Sequence, residues 1–458
     1  MSADFESDCT YKRTRTFLQT KPVYMNIARH NHLALQYVYQ KRSNLELTCS
    51  FTPFHYQSFL NSTTQNYFLP KHKSHITIVG DQAAPDAVKK RDVRAEWLNL
   101  PSSAQATLQL VPQYKVTGFA VHVNKNLKDV VPTDFFSSLQ CELVLPFVIA
   151  EHFLFLDEQN LSGVPPGQII DAFSNTVWIG QRIKQYQSSV GLSDVAVSIS
   201  SSSYCKDHYI FAAHSGLVLP TAPKNSHTYL FSPARGNNGR FAFYGGVDMQ
   251  FALNEAARIW NMLLFASIES YYFFATDVYR TFDLKQKPWS RFLPYIDNNQ
   301  VQPNKLQGVN VLTLRAHLKP QAYVDFSCGI RLVSDYIHFE VGYGVWGHDS
   351  ERIEHLDTSF NNLIGIAGVQ QGASASKSTI GTQATDDEQF IPVKLSDIDL
   401  ISGSALSALN HIFHASVGIT KKGSRIDGFI GFGGSVEKAQ LEGSMTQWGA
   451  WVKIGATV

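Results

Sequence analysis

The charged residues of this sequence recur at alternate positions within otherwise apolar runs. In the run 321–332, Asp325 and Arg331 share one face with small polar residues, while Phe326 and Ile330 occupy the other face. Fixed charges of both signs along a water-filled passage filter solutes by size and charge. We therefore predict that such side chains line a passage, and the candidates are Asp248, Glu269, Asp325, Arg331, His338, Glu340, Arg425, Asp427, Glu437 and Lys453.

Motifs of enzymatic or metal chemistry are absent from the sequence. It contains no HExxH, GxSxG or GxxxxGK[ST] motif, and its five cysteines are scattered without a CxxC pair. His411 and His414 are three positions apart in a strand-like run, so they point to opposite faces and cannot share a metal ion. The sequence therefore predicts no enzyme, no catalytic residues, no metal and no cofactor. A barrel lipase, with Ser267 or Ser327 beside a histidine on an adjacent strand, is the least favoured alternative.

Long β-strands are the elements that must position these charges. A hydrophobic period of two residues recurs from about Leu45 to the C-terminus, for example in the runs 241–251, 337–345 and 447–458. Ser334 and Asp335 form a hairpin-sized break between two such runs. Counting the runs predicts an all-β protein of about 14 antiparallel strands, in a range of about 12–16.

Run length and aromatic placement favour a transmembrane barrel over a soluble sandwich. The runs extend over about 11–14 residues, whereas strands of soluble proteins average about five or six. Aromatic residues cluster near the run ends, as in Tyr271–Phe274, Trp346 and Trp448, where membrane interfaces would lie. A sheet in lipid must pair every backbone group, which it achieves by closing on itself. We therefore expect one closed transmembrane β-barrel.

Composition agrees with a barrel and excludes several other classes of protein. Among 458 residues, 39 Lys and Arg oppose 38 Asp and Glu, so no net field attracts nucleic acid. Aromatic residues make up 12% of the chain and charged residues 17%, while mean hydropathy is −0.13. That balance is typical neither of a disordered chain nor of a helical membrane protein, and no apolar run reaches the 18 residues or so that a spanning helix needs.

The chain divides into a short N-terminal part and one large domain. We predict an N-terminal extension over residues 1–40 and a barrel over 41–458, with a helical insert at 166–183 and a mobile loop at 365–390. The insert, the loop and the N-terminal residues 1–35 are the candidates to fill the lumen. The first 15 residues lack the apolar core of a secretory signal, so either the protein is intracellular or a leader has been removed; for an outer-membrane protein we expect the latter.

Several segments resemble the porin-like outer-membrane β-barrel proteins of Dependentiae-type intracellular bacteria. The similarity is distributed over residues 95–458 and is carried by the segments 146–160, 167–175, 279–296, 339–353, 396–419, 431–437 and 447–458. The resemblance implies an outer-membrane barrel with periplasmic termini and a porin-like or surface role. It supplies no catalytic residues. The chain ends in Val458, whereas such barrels usually end in an aromatic residue.

These observations predict a passive porin-like channel for small hydrophilic solutes, with weak charge selectivity. Its partners would be outer-membrane lipid and small solutes but not nucleic acid, and homo-oligomerisation stays open. A plugged structural or surface barrel, or a transporter of hydrophobic molecules, is the first alternative. A soluble β-sandwich that binds carbohydrate is the second.

Overall fold

A computed structural model describes most of the chain. The described residues are 13–26, 47–60, 67–70, 73–127, 138–205, 209–253, 260–297, 305–357, 364–367, 390–421, 423 and 426–458. Arg425 lies outside the described residues. Residues 368–389, most of the predicted mobile loop at 365–390, also lie outside them. No helix in the described ranges is long and apolar enough to cross a bilayer.

Twelve long strands form the barrel wall. We number the 24 strands of the described ranges in chain order. The barrel strands are β1 (Leu47–Ser58), β4 (Gln105–Asn126), β5 (Ser138–Ser162), β7 (Val195–Cys205), β8 (Tyr209–Leu219), β9 (Ala242–Ala252), β10 (Asn261–Phe273), β16 (Gln321–Val333), β17 (Ile337–His348), β22 (Ala408–Lys421), β23 (Asp427–Ala439) and β24 (Gln447–Thr457).

The sheet closes because its first and last barrel strands pair. Strand β1 is antiparallel to β24, with Phe51 opposite Ile454 and Phe54 opposite Trp451, and it is antiparallel to β4 on its other edge. The remaining barrel strands each pair antiparallel with the next one along the chain. The predicted all-β barrel is therefore confirmed. Its strand number, 12, is at the lower end of the predicted range, because several shorter alternating runs pair outside the ring.

The two faces of the wall differ as the hydrophobic period predicts. Outward-facing residues are apolar and exposed, as a sheet surrounded by lipid requires; they include Phe51, Phe147, Phe243, Phe251, Phe326, Phe339, Phe413, Phe432 and Ile454. Inward-facing residues are mostly polar or charged and buried, including Ser50, His122, Glu142, Gln250, Ser327, Asn410 and Gln447. This closed, inside-out arrangement contradicts the soluble β-sandwich.

Half of the aromatic residues that we expected at membrane interfaces point into the barrel instead. Tyr271, Phe273 and Trp346 are buried, whereas Tyr272 and Phe274 are exposed. The physical reason is the strand period, because adjacent residues of one cluster must face opposite sides of the sheet. The interior therefore has an aromatic belt that the interface interpretation did not anticipate.

The two ends of the barrel differ in the length of their connections. Short connections lie at the turn end, where β1 begins and β24 ends; long connections of 59–104, 163–194, 220–241, 274–320 and 349–407 lie at the loop end. The described parts of these long connections form a cap. Its strands are β2 (His75–Val79), β3 (Val93–Arg94), β6 (Tyr186–Leu192), β11 (Thr276–Thr281), β12 (Asp283–Leu284), β13 (Pro294–Asp297), β14 (Lys305–Gln307), β15 (Thr313–Leu318), β18 (Ile353–Asp357), β19 (Ile364–Ala367), β20 (Phe390–Pro392) and β21 (Ile398–Asp399).

Small sheets and one apolar core hold the cap together. Strands β11, β15 and β18 form one sheet, β12 and β21 a second, and β13, β14, β19 and β20 a third. Three short helices lie in the long connections, α1 (Pro85–Val88), α2 (Gln168–Phe173) and α3 (Gly308–Leu312). Their core is continuous with the upper part of the barrel and includes Trp97, Phe173, Trp178, Phe231, Phe282, Phe292 and Leu314.

The predicted helical insert at 166–183 is helical only over α2. The side-chain oxygen of Asn175 accepts a hydrogen bond from the N–H of Val177 at 3.0 Å, and this local turn replaces a further helical turn. Phe173 and Trp178 pack edge-on, and both contact Phe292 in the cap. The insert therefore belongs to the cap and does not fill the lumen.

A charge on the outward face should destabilise the barrel, whereas a charge on the cap should not. We expect Phe432→Arg to lower the free energy of unfolding by about 2–4 kcal/mol, because it places a guanidinium in lipid. Val177→Arg is the matched control, since Val177 is 66% exposed on the cap. Heat-shift gels in detergent measure both variants. Equal effects at the two positions would contradict the membrane-facing assignment.

Candidate functional site

An N-terminal segment lies inside the barrel. This segment, residues 13–26, is here called the plug. Its residues Tyr24 and Met25 share an apolar cluster with inward-facing residues of five barrel strands: Tyr244, Tyr271, Tyr323, Trp346 and Ile412. The hydroxyl of Tyr56 on β1 donates a hydrogen bond to the backbone oxygen of Asn26 at 3.4 Å. Only a segment within the lumen can contact strands from opposite sides of the wall.

Aromatic packing seats the lower part of the plug. The ring of Tyr24 is 5.7 Å from that of Tyr271, which in turn stacks on Tyr244 at 5.2 Å between centroids. Tyr24 is almost completely buried. Aromatic pairs at such distances contribute beyond the area that they bury. The inward aromatic belt is thus the contact surface for the plug.

A buried ion pair fixes the register of the plug against the wall. The amine of Lys21 lies 2.9 Å from a carboxylate oxygen of Glu437, and both side chains are at most 2% exposed. Asn410 donates to the other Glu437 oxygen at 3.3 Å, and Trp346 lies under the Lys21 amine at 5.5 Å. A buried charge requires a partner, because desolvation would otherwise destabilise the fold. Lys21 and Glu437 therefore each provide the opposite charge that offsets the desolvation of the other.

Backbone and side-chain hydrogen bonds tie the upper part of the plug to the cap. The hydroxyl of Thr16 donates to the backbone oxygen of Thr281 at 2.6 Å, and the guanidinium of Arg15 donates to that of Ile401 at 2.6 Å. Thr14 donates to the Asp283 carboxylate. The plug therefore connects the cap to the loop end of the lumen.

The predicted passage residues face the interior wherever the structure describes them. Asp248, Glu269, Asp325, Arg331, His338, Asp427, Glu437 and Lys453 are buried and Glu340 is half-buried, while Arg425 is among the residues not described. They occupy six different strands, so they form several clusters and not one site. Whether they filter solutes stays a prediction.

One cluster joins β16, β17 and β22. The Arg331 guanidinium donates from Nε and Nη2 to one oxygen of Glu340, at 2.8 and 2.5 Å. His414 Nε2 lies 3.2 Å from the other Glu340 oxygen. An added Cβ at Gly342 would lie only 2.4 Å from the His414 ring, so glycine lets the imidazole lie flat against the wall. His414 and His411 face opposite sides of β22, as predicted.

A second cluster joins β8, β9 and β10. The two ring nitrogens of His214 lie 3.4 Å from Asp248 and 3.0 Å from Glu269. The Tyr271 hydroxyl donates to the second Glu269 oxygen at 2.7 Å. His214 was absent from the sequence prediction, although its position in the alternating run 209–219 marks it as inward.

The N-terminal residues 1–35 are among the predicted candidates to fill the lumen, but no local signal identifies which of their residues contact the wall. Lys21 and Tyr24 stand in a stretch without period-two alternation, and their partners are more than 200 positions away. The barrel-lipase alternative lacks its essential contact, since neither Ser267 nor Ser327 hydrogen-bonds a histidine among the described residues. Metal-ligand clusters of three or more His, Cys, Asp or Glu are also absent from the described ranges.

A buried carboxylate anchors the cap loop that touches the plug. Asp194 accepts hydrogen bonds from the backbone N–H groups of Asn237 at 2.6 Å and Ala222 at 3.2 Å. The Asn237 side-chain oxygen accepts from Gln19 at 3.1 Å. Burial raises the pKa of Asp194 to about 6, an effect that these two backbone donors only partly offset. The contact between loop 220–241 and the plug therefore depends on an acid that titrates near neutrality.

Taken together, these clusters form a polar interior in which acids lie beside bases, with the plug at its loop end. Arg331 pairs with Glu340, His214 lies between two wall carboxylates, and Lys21 of the plug neutralises Glu437. Such an arrangement can hold a segment inside a membrane barrel without an uncompensated charge.

Breaking the buried ion pair should loosen the plug. In Lys21→Met, Glu437 keeps a buried charge without its cation, which destabilises the seated state by about 3–5 kcal/mol. We expect proteinase K to remove the plug from the detergent-solubilised variant at least about tenfold faster than from the wild type. The double variant Lys21→Met/Glu437→Gln should recover part of this loss. Lys90→Met on the exposed cap is the control. Equal cleavage of wild type and Lys21→Met would contradict the proposed seat.

The Asp194 carboxylate should make the protein less stable as the pH rises. Because its folded pKa is raised to about 6, its contribution is fully present below pH 4 and is lost as the pH rises through 6. The change amounts to the order of 3 kcal/mol. Asp194→Asn should remove this part of the pH dependence, whereas Asp171→Asn, on the exposed face of α2, should not. The midpoints of unfolding in detergent between pH 4 and 8 measure this pH dependence. If the midpoints of wild type and Asp194→Asn differed by the same amount at every pH, the prediction would be contradicted.

Comparison with known proteins finds similarity only at the level of structure. No protein-family model matches the chain, and no curated protein matches its sequence. An outer-membrane channel of Pseudomonas putida F1 aligns over 91% of this chain and 97% of its own, at 9% identity and a TM-score of 0.39. The alignment with the transport unit of the Escherichia coli autotransporter AIDA-I covers 96% of this chain and 99% of the other, at 8% identity and a TM-score of 0.35. The alignment with a Pseudomonas aeruginosa FadL homologue covers 98% of this chain and 97% of the other, at 9% identity and a TM-score of 0.29.

Proposed function

We propose that this chain is a transporter of the bacterial outer membrane, in which the plug closes a channel for small hydrophilic solutes. The observation that carries the proposal is a closed barrel with an apolar outer face, a polar inner face and a chain segment of its own in the lumen. Barrels of this design are typical of outer membranes. The resemblance to porin-like barrels of Dependentiae-type bacteria agrees with this location and remains part of the proposal.

The polar interior favours hydrophilic solutes over hydrophobic cargo. Arg331, Glu340 and His414 form one inward-facing charged cluster, and His122 beside Glu142 forms another, with ring nitrogen and carboxylate oxygen 3.3 Å apart. A lumen with such a lining attracts water and small polar molecules. Because both signs of charge line the wall, ion selectivity should be weak.

The plug makes the proposed channel a gated one. Lys21, Tyr24 and Asn26 contact inward residues of β23, β10 and β1, so the plug crosses the lumen rather than following one wall. A passive pore that is permanently open does not need such a segment. Solute passage would therefore require the plug to move.

Removal of the plug should open the barrel. In planar bilayers we expect low conductance for the wild type and a large increase for a variant that lacks residues 1–26. A variant that lacks only residues 1–12 keeps the plug and is the matched control. Under a KCl gradient, the reversal potential of the open variant should stay close to zero. A deletion variant that folds, as judged by its heat shift, but does not conduct would instead support a structural or surface barrel.

A further inference from the structure

A cavity lies between the plug and the cap, outside the membrane-spanning wall. It has a volume of about 290 Å³ including its open mouth. Phe17, Gln19 and Thr20 of the plug form one side, and loop 220–241 with Arg240, Arg280 and Glu351 forms the other. A neighbouring cavity shares Phe17 and Arg280 with it. A ligand in this cavity would touch both the plug and the cap.

The guanidinium of Arg280 has too few acceptors for its degree of burial. Arg280 is 5% exposed, and its Nη1 donates only to its neighbour's backbone oxygen, at 3.4 Å. Its Nε and Nη2 make no hydrogen bond among the described residues. Buried polar atoms nearly always have partners, so such an exception points to a missing water or ion. Phe17 covers one face of the guanidinium, with 3.5 Å between Cζ and the ring centroid.

The other arginine of the cavity differs in its hydrogen bonds. Arg240 donates to Gln321 at 3.0 Å, to the Lys319 backbone at 2.8 Å and to the Phe274 backbone at 3.4 Å. It therefore contributes charge to the cavity but has its donors directed to protein acceptors. Of the two arginines, Arg280 is the one with guanidinium N–H groups that make no hydrogen bond to the described residues.

Two amide groups add further donors. The side-chain oxygen of Asn237 accepts from Gln19 at 3.1 Å, and that of Asn238 accepts from the Asn225 N–H at 3.0 Å. These bonds fix the orientation of both amides, since each oxygen already has a donor. The Nδ2 atoms of Asn237 and Asn238 then make no hydrogen bond in the described part of the chain.

The cavity has an excess of positive charge and also an excess of hydrogen-bond donors. Two arginines face one carboxylate, that of Glu351, which lies 3.7 Å from Arg240 and 3.8 Å from Arg280. Three donor atoms without a partner, Arg280 Nε and the Nδ2 atoms of Asn237 and Asn238, stand against one such acceptor atom, on Gln19, while Arg280 Nη2 has only the Glu351 carboxylate at 3.8 Å. A ligand that fits must carry negative charge and several acceptor oxygens.

From this geometry we infer that the cavity between the plug and the cap is a binding site for an oxyanion, a carboxylate or a phosphate group. Arg280 binds it through Nε and Nη2, and the Asn237 and Asn238 amides donate to its remaining oxygens. A water molecule would satisfy some donors but would leave the excess positive charge uncompensated. Desolvation by burial lowers the pKa of Arg280, which is consistent with a site that gains from an added anion.

The test measures binding to the full chain in detergent by isothermal titration calorimetry. Sodium acetate and sodium phosphate are titrated separately at constant ionic strength, with glycerol as a neutral probe. We expect saturable binding of at least one anion and none of glycerol. Binding of acetate alone assigns the site to carboxylates, and binding of phosphate alone assigns it to phosphates. Absence of binding to the folded wild type, or equal binding of glycerol, would overturn the inference.

Two variants locate the site. Arg280→Gln should weaken anion binding by about tenfold or more, because it removes a charge-assisted donor pair. Asn238→Gly removes one amide and suits the positive φ of 57° at this position, so it should fold normally and weaken binding several-fold. Arg315→Gln is the control, an exposed arginine of the same cap whose carboxylate partners are Asp277 and Asp357. If Asn238→Gly and Arg280→Gln both bind like the control, the cavity is not the site.

Discussion

The pairing of β1 with β24 is the constraint on which the rest of the structure depends. It leaves no free strand edge in the wall, as a sheet in lipid requires. Once the ring is closed, every second residue of each strand must face an enclosed interior. The charges at those positions face a confined interior, where a partner of opposite charge offsets the desolvation that burial brings.

The interior meets this requirement in two ways. Some charges are neutralised within the wall, as when Arg331 and Glu340 pair across the β16–β17 hairpin. Glu437 is neutralised by a residue that does not belong to the wall, Lys21 of the plug in the lumen. The same electrostatic requirement that stabilises the barrel therefore also holds the plug, and this links the fold directly to the proposed gating.

The cap gives the upper part of the plug a rigid partner. Its apolar core, with Phe282 and Phe292 near its centre, positions Asp283 and the backbone of Thr281 to bind Thr14 and Thr16. Loops of this length without an apolar core would be too mobile to do so. The cap also places Arg280 and Asn238 beside Phe17, where the proposed oxyanion site lies. The plug thus contacts a structured surface along its whole described length.

The sequence alone determined the strands and their two faces. The period of two residues is a property of the pleated backbone, so the inward position of Asp325 and the outward position of Phe326 followed without knowledge of the partners. It also identified nine inward charges that the structure describes. The number of strands was less certain, because short cap strands such as β11 and β15 alternate in the same way.

Only the tertiary structure decided what fills the lumen and which charges meet. Lys21 and Glu437 are separated by more than 400 positions, and no local pattern marks the one as the partner of the other. The same holds for Phe17 and Arg280, which belong to the plug and the cap. Alternation reports which side of a sheet a residue faces, whereas contacts across an enclosed space depend on how the whole ring closes.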